Sequence, residues 1–148
     1  MELKDRISED MKIAMRARDA TRLETIRMLR AAIQRKEVDD RVTLEDDGVL
    51  AVLQKQIKQG QDSIAQFQAG GRDDLVTRER AQLEILRTYM PEPMDPAEID
   101  RLVTEAMGEI GATSMKDMGR VIALLKPRLQ GRADLATISQ QIKTRLQG

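Results

Sequence analysis

Apolar side chains recur at every third or fourth position from Leu3 to Leu146, and this spacing constrains the chain more than any other feature. Residues four apart share one side of an α-helix. Leu3, Ile7, Met11 and Met15 therefore predict a first helix over about Glu2–Ala17. A second opens at Asp19 or Thr21, where Thr21 and Glu24 have capping-box spacing. It carries Leu23, Ile26, Leu29 and Ile33 and frays by Asp39-Asp40. A third opens at Thr43, with Asp46 three positions on. It carries Val49, Leu50, Leu53, Ile57, Ile64 and Phe67 and stops at Gly70-Gly71. A fourth is capped by Asp73 or Asp74 and holds Leu75, Leu83, Leu86 and Met90. No segment alternates with period two, and the aromatics are reduced to Phe67 and Tyr89. The fold class is all-α.

Pro91-Glu92-Pro93-Met94 interrupts this pattern, since proline forces extended backbone on the residue before it. The chain restarts at once with Asp95 as N-cap, Pro96 at the first helical position and Glu98 at the third. The reading is a four-helix bundle-like domain over 1–92 followed by a smaller three-helix domain over 93–148. Helix five closes at Gly111. Helix six starts near Thr113 or Ser114 and runs through Val121, Ile122 and Leu125 until Pro127 kinks or ends it. Gly131 makes the turn, and Asp134 caps a last helix holding Leu135, Ile138, Ile142 and Leu146. Gly119, inside helix six, reads as a close-packing position. The methionines at 11, 15, 28, 90, 94, 107, 115 and 118 read as core filler.

Little in the chain points to catalysis. Without Cys or His there is no disulfide framework, no thiolate zinc site, and neither the commonest general base nor the commonest transition-metal ligand. No phosphate-cradling GxxxxGK[ST] loop occurs, and the glycines at 108, 111 and 119 follow no strand. The acidic clusters Asp39-Asp40, Glu45-Asp46-Asp47 and Asp73-Asp74 read as helix N-terminal charges, not as a magnesium site. Ser114 and Lys116 are two apart and do not face each other on a helix, so Ser114 reads as a cap. The expectation is no catalytic residue, no metal and no cofactor. The first dozen residues alternate charge around a helical stripe, unlike a signal or transit peptide. The longest apolar run, Val121 to Leu125, is far short of the roughly 20 residues of a membrane span. A soluble cytoplasmic protein without a membrane partner is expected.

Charge is balanced overall at 25 basic and 25 acidic residues, but not locally. Residues 91–110 carry Arg101 against six acids, whereas residues 111–148 carry seven cations against Asp117 and Asp134. Cations near helix C-termini, such as Arg128, Arg132, Lys143 and Arg145, can complement the macrodipole. That does not account for Lys116 and Arg120, which stand in the first turns of helix six. Lys116, Arg120, Lys126, Arg128 and Arg132 are therefore the candidates for contacting a phosphate backbone. The region holds no aromatic on which a base would stack, so a nucleic acid would be read by backbone and shape.

Three stretches carry a resemblance to a known family. The first is Met11-Lys12-Ile13-Ala14-Met15 with Arg22 through Ile33. The second is Lys55-Gln56-Ile57-Lys58-Gln59 with Asp62-Ser63-Ile64, Gly71 to Leu75, Glu79 and Leu86 to Pro91. The third is Met118-Gly119-Arg120-Val121-Ile122 with Lys126-Pro127 and Gly131 to Asp134. In order and spacing the chain resembles the YqeY-like proteins, stand-alone relatives of the C-terminal tail of GatB, a component of the glutamine-dependent aspartyl/glutamyl-tRNA amidotransferase. The resemblance covers Glu2 to Leu146 and implies a helical bundle followed by a three-helix domain. It implies a non-catalytic tRNA-binding or amidotransferase-associated module, since the tail holds the tRNA body while activation and glutamine hydrolysis belong to other parts of that enzyme. Carried over, the tRNA-facing residues are the same five cations. Two alternatives accompany it. One is an adaptor docking on an amidotransferase or aminoacyl-tRNA synthetase through residues 91–110 or the first bundle. The other is carbon–nitrogen ligase activity with glutamine as amido-N-donor, attached through the family name.

Overall fold

The computed structural model describes residues 2–129 and 131–147. These form seven helices: α1 (Leu3–Ala17), α2 (Ala20–Asp40), α3 (Asp46–Ala69), α4 (Asp73–Arg87), α5 (Pro96–Ile110), α6 (Met118–Leu129) and α7 (Leu135–Gln147). A 3-10 turn, Met115–Asp117, precedes α6. No strand occurs among the described residues, and the all-α reading holds. The chain divides into two compact units, Met1–Met90 and Pro91–Gly148.

In the first unit α3 packs along α4 and α1 along α2, and α2 also meets α3 and α4. The core gathers Ile7, Ile26, Leu29, Ile33, Val49, Val52, Leu53, Leu86 and Tyr89. A strict four-residue stripe drifts by about 40° per step on a 3.6-residue helix. By Met15 the stripe begun at Leu3 has left the core, which takes Ala14 instead. The core-filler reading of the methionines is corrected accordingly: Met15, Met28 and Met115 are 50%, 52% and 41% exposed, while Met94 is buried.

Loop chemistry decides one helix start between its two alternatives and moves two others. The Asp19 side chain accepts from the Arg22 N–H at 3.1 Å, so α2 starts there and not at Thr21. The Leu44 N–H donates to Glu37 Oε2 at 2.7 Å, as does Lys4 Nζ. That bond holds the chain before Asp46 outside the helix and delays α3 past Thr43. Arg72 rather than an aspartate is the N-cap of α4, and Asp73 and Asp74 occupy its first turn. Asp39-Asp40 lies at the C-terminal end of α2, where Asp40 pairs with Lys36 at 2.7 Å, so it caps no helix start. Asp46 has a second task, accepting from the Leu3 N–H at 2.9 Å at the opening of α1. Both α1 and α2 end on an arginine in the left-handed region, Arg18 (φ 56°) and Arg41 (φ 55°).

Tyr89 is the largest polar anchor of this core. Its hydroxyl donates to Asp10 Oδ2 at 2.7 Å, and the Arg6 guanidinium lies 5.0 Å from the ring centroid. Burial, and then the bond to Asp10, push the phenol well above its ordinary pKa of 10.0.

The second unit has an apolar core of Met94, Val103, Ala106, Val121, Leu125, Leu129, Ile138 and Ile142. Asp95 accepts from the Ala97 N–H at 2.8 Å with Pro96 at the helix start, and Gly111 (φ 69°) ends α5. Ser114 and Asp117 form a capping box around the 3-10 turn. Pro127 neither ends α6 nor stops its pairing with the core, because the helix continues to Leu129, which is buried. Asp134 accepts from the Ala136 N–H at 3.1 Å and starts α7. The packing reading of Gly119 does not hold: it is exposed, and a Cβ there would meet nothing within 4 Å.

Candidate nucleic-acid interface

The five cations singled out by charge do not form one surface. Lys116 lies in the 3-10 turn, Arg120, Lys126 and Arg128 on α6, and Arg132 in the turn before α7. At 3.6 residues per turn, Lys126 and Arg128 stand about 160° apart around the α6 axis. They flank the buried stripe of Val121, Leu125 and Leu129 from opposite sides.

Their partners divide them further. Arg128 reaches α5 and pairs with Glu109 at 2.7 Å, which raises its pKa. Arg132 pairs with Glu98 at 3.7 Å and donates from Nε to the Glu92 carbonyl at 3.1 Å. Its own carbonyl accepts from the Met94 N–H at 2.9 Å, which ties the segment before α5 to the α6–α7 turn. On α7, Arg145 repeats the theme with Asp100 and with the Thr104 hydroxyl at 2.7 Å. The acidic segment and the basic segment, opposite in sign along the sequence, are thus joined across helices. Glu98, Asp100 and Glu109 of α5 are engaged inside the unit.

Lys116, Arg120 and Lys126 remain turned to solvent. Arg120 is 64% exposed at its side chain and pairs only with Asp117, one turn back, among the described residues. Asp117 in turn accepts from the Thr113 and Ser114 N–H groups at 2.9 and 3.2 Å. Those backbone bonds, first the one from Thr113, and the Arg120 guanidinium hold its carboxyl below the usual carboxylate range. Neither Lys116 nor Lys126 forms an ion pair with any described residue. Between Lys116 and Arg120, Gly119 leaves the backbone bare.

A groove that the sequence reading passed over lies between α1 and α2. Its lining includes Lys4, Ser8, Arg27, Arg30 and Gln34, with Glu37 at one end, around a volume of about 500 Å³. Lys4 is held by Glu37 at 2.7 Å, whereas Arg30 meets only the Met11 sulfur at 3.1 Å among the described residues. Arg27, Arg30 and Gln34 are spaced i, i+3, i+7, which places them on one helix face and would have marked the groove. Among the described residues, no group of three or more Asp and Glu side chains is gathered to hold a metal ion. None of the described helices is long and apolar enough to cross a membrane.

Comparison with known proteins matches residues 4–146 to the family described as "Yqey-like protein". The curated relatives include "Altered inheritance of mitochondria protein 41, mitochondrial" of Pyrenophora tritici-repentis, 33% identical over 93% of this chain and 77% of that protein. The protein of the same name from Vanderwaltozyma polyspora is 33% identical over 76% of this chain and 64% of its own length. That from Eremothecium gossypii is 38% identical over 57% and 46%. The chain therefore spans less than two thirds of the second and third of these. These relatives are named as mitochondrial proteins, and that overturns the expected cytoplasmic location. Compartment is set by targeting segments, not by packed helices, so the composition of the bundles had no bearing on it.

Proposed function

This chain belongs to the Yqey-like protein family, and we propose that it acts as a non-catalytic module that binds folded tRNA through the phosphate backbone. The observation that carries this reading is the exposed set Lys116, Arg120 and Lys126 around Gly119. A helix glycine costs about 1 kcal/mol relative to Ala and usually has a packing or functional reason. No side chain packs at Gly119, so its backbone is open to close approach by another molecule. Cations beside bare backbone suit a phosphate better than they suit a neutral partner.

The reading differs from the five-cation edge drawn from the sequence. Arg128 and Arg132 serve as braces to α5, and three cations meet the RNA. Three phosphate contacts predict a slope of log affinity against log salt of roughly −2 to −3, where five would give roughly −4. The experiment is a gel-shift titration of unfractionated tRNA, from whole cells and from mitochondria, at two salt concentrations. Replacing Lys116, Arg120 and Lys126 with Ala together should remove most of the binding, and Gly119→Ala should weaken it while leaving the fold at least as stable. Affinity indifferent to salt, or none at all, sinks the proposal.

A protein-docking role is the second reading, favoured by Ile13 and Met15, both about half exposed on α1. Capture of an amidotransferase or synthetase subunit that survives nuclease treatment, and is lost on Ile13→Glu, would favour it over the first. The acidic face of α5 is a poorer docking site, because three of its carboxylates are occupied within the unit.

A further inference from the structure

The first unit contains a cleft that neither its packing nor the tRNA-binding proposal uses. It lies where α2, α3 and α4 meet and has a volume of about 170 Å³. Leu29, Leu83 and Leu86 line it with apolar surface, and Gln56, Gln59, Ser63, Glu79 and Gln82 bring polar groups to it. Gln82 is the informative residue. It is only 8% exposed, yet its carboxamide takes part in no hydrogen bond among the described residues. No side-chain N or O of the described residues is both sealed from solvent and unpaired, so the Gln82 amide reaches the cleft. With no protein partner, this nearly buried amide keeps its hydrogen-bonding capacity for whatever occupies the cleft.

The other groups say what that something is. Glu79 is the only charged residue of the lining and forms no ion pair with any described residue. Its Oε2 lies 3.7 Å from where a Cβ on Gly60 would stand, beside the Leu83 side chain at 3.2 Å, so the carboxylate reaches α3 where the glycine lets α4 come close. Around it are three carboxamides and a hydroxyl, each able to offer an oxygen lone pair. One anion among several neutral acceptors disfavours a phosphate or carboxylate ligand and favours a cation with many N–H donors. A guanidinium has five such donors in a plane, while an ammonium has three. The leucines suit the aliphatic stem that carries it. The volume is well below the roughly 300 Å³ at which drug-sized pockets begin, which fits a slender tip and excludes a nucleotide.

We propose that this cleft is a binding site for a guanidinium group on a short aliphatic stem, held by Glu79 and Gln82 with Gln56, Gln59 and Ser63 around it. The guanidinium comes either from a free small molecule or from an arginine side chain of a partner protein. The site lies wholly in the first unit and does not depend on the tRNA reading.

The test uses the full chain with three probes, followed by calorimetry and by the Gln side-chain amide signals in nuclear magnetic resonance. The probes are agmatine, a capped Gly-Arg-Gly peptide, and N-carbamoylputrescine, in which a neutral urea replaces the guanidinium. Saturable binding of agmatine or the peptide is expected, at least tenfold tighter than the urea analogue, with a shift of the Gln82 amide. Glu79→Gln, a near-isosteric change at a partly buried position, should remove that tenfold preference. Gln82→Leu should weaken binding while helicity is retained. A peptide at least tenfold tighter than agmatine assigns the site to a partner's arginine, and the reverse order assigns it to a free metabolite. No saturable binding of either cation up to millimolar concentration, or equal binding of the urea analogue to the native chain, overturns the proposal.

Discussion

The two units carry the same net charge, zero, and use their charged groups differently. In the second, arginines of α6, α7 and the turn between them reach the carboxylates of α5, and the core beneath is wholly apolar. In the first, Tyr89, Thr25 and Gln82 bring polar groups into or beside the core, and the arginines of the α1–α2 groove keep their guanidiniums largely unpaired. Equal charge balance thus yields one unit whose interhelical ion pairs converge on a single helix, α5, and one that also brings polar side chains to its core. Charge balance along a sequence does not tell which of these a helical bundle will be.

The contrast can be broken or sharpened by experiment, and the largest effect is expected from the cores. Leu53 and Leu125 are both fully buried. Truncating either to Ala should cost about 2–5 kcal/mol. Hydrogen exchange should accelerate in α2 and α3 for Leu53→Ala, and in α6 and α7 for Leu125→Ala. Acceleration spread evenly over both units would erase the distinction between them.

Tyr89→Phe probes the polar anchor of the first unit and should cost about 1–2 kcal/mol, the worth of a hydrogen bond to a charged acceptor at a partly exposed carboxylate. It also tests a pH dependence. The folded chain keeps the phenol neutral at a pH where the unfolded chain ionises it, so the stability it contributes is full below about pH 10 and falls as pH rises beyond. Urea denaturation of the native chain should weaken above pH 10, and Tyr89→Phe should flatten that decline. In acid both units should loosen together. Lys4 and the Leu44 N–H lower the pKa of Glu37 in the first unit, and backbone N–H groups and Arg120 lower that of Asp117 in the second. Their contributions are present above the ordinary carboxylate pKa and are lost as pH drops through the lowered folded values.

Ser114→Ala removes one half of the capping box at the entrance to α6. A loss of about 1 kcal/mol is expected, seen as a lower urea midpoint with an unchanged slope. The smallest effect should come from the rim. A double-mutant cycle on Arg145 and Asp100 should return a coupling of about 0.2–1 kcal/mol that fades with added salt. A coupling several times larger would mean that the ion pairs, not the apolar core, hold the second unit together.

Much of the fold was legible because its signals are local. Asp95, Pro96 and Glu98 sit within one helical turn and start α5 as their spacing predicts. The late start of α3 was not legible, since Glu37 reaches seven residues along the chain to take the Leu44 N–H. The candidate site was legible as a set of residue types and not as a surface. Glu109 stands 19 positions from Arg128, and Glu98 lies 34 from Arg132, so only the packing of α5 against its neighbours decides which cations are taken. Gln56 and Gln82 look like ordinary solvent-facing helix formers until α3 and α4 pack around them, while Gln59 stays exposed at the cleft rim. Location was illegible for a different reason, since a packed helix has no address.

The corners of the helices have a consequence for anyone wishing to make the protein hardier. The second unit turns at Gly111 and Gly131, both at positive φ, whereas the first has such a glycine at Gly71 alone and places Arg18 and Arg41 in the left-handed region at two other corners. An L-residue with a Cβ held there gives up about 1 kcal/mol or more that a glycine would keep. The first unit therefore holds a reserve of thermal tolerance at two codons. Drawing on it would strip two guanidiniums from the surface in the same stroke, so a more heat-resistant variant would also show whether those corners are read by anything in the cell.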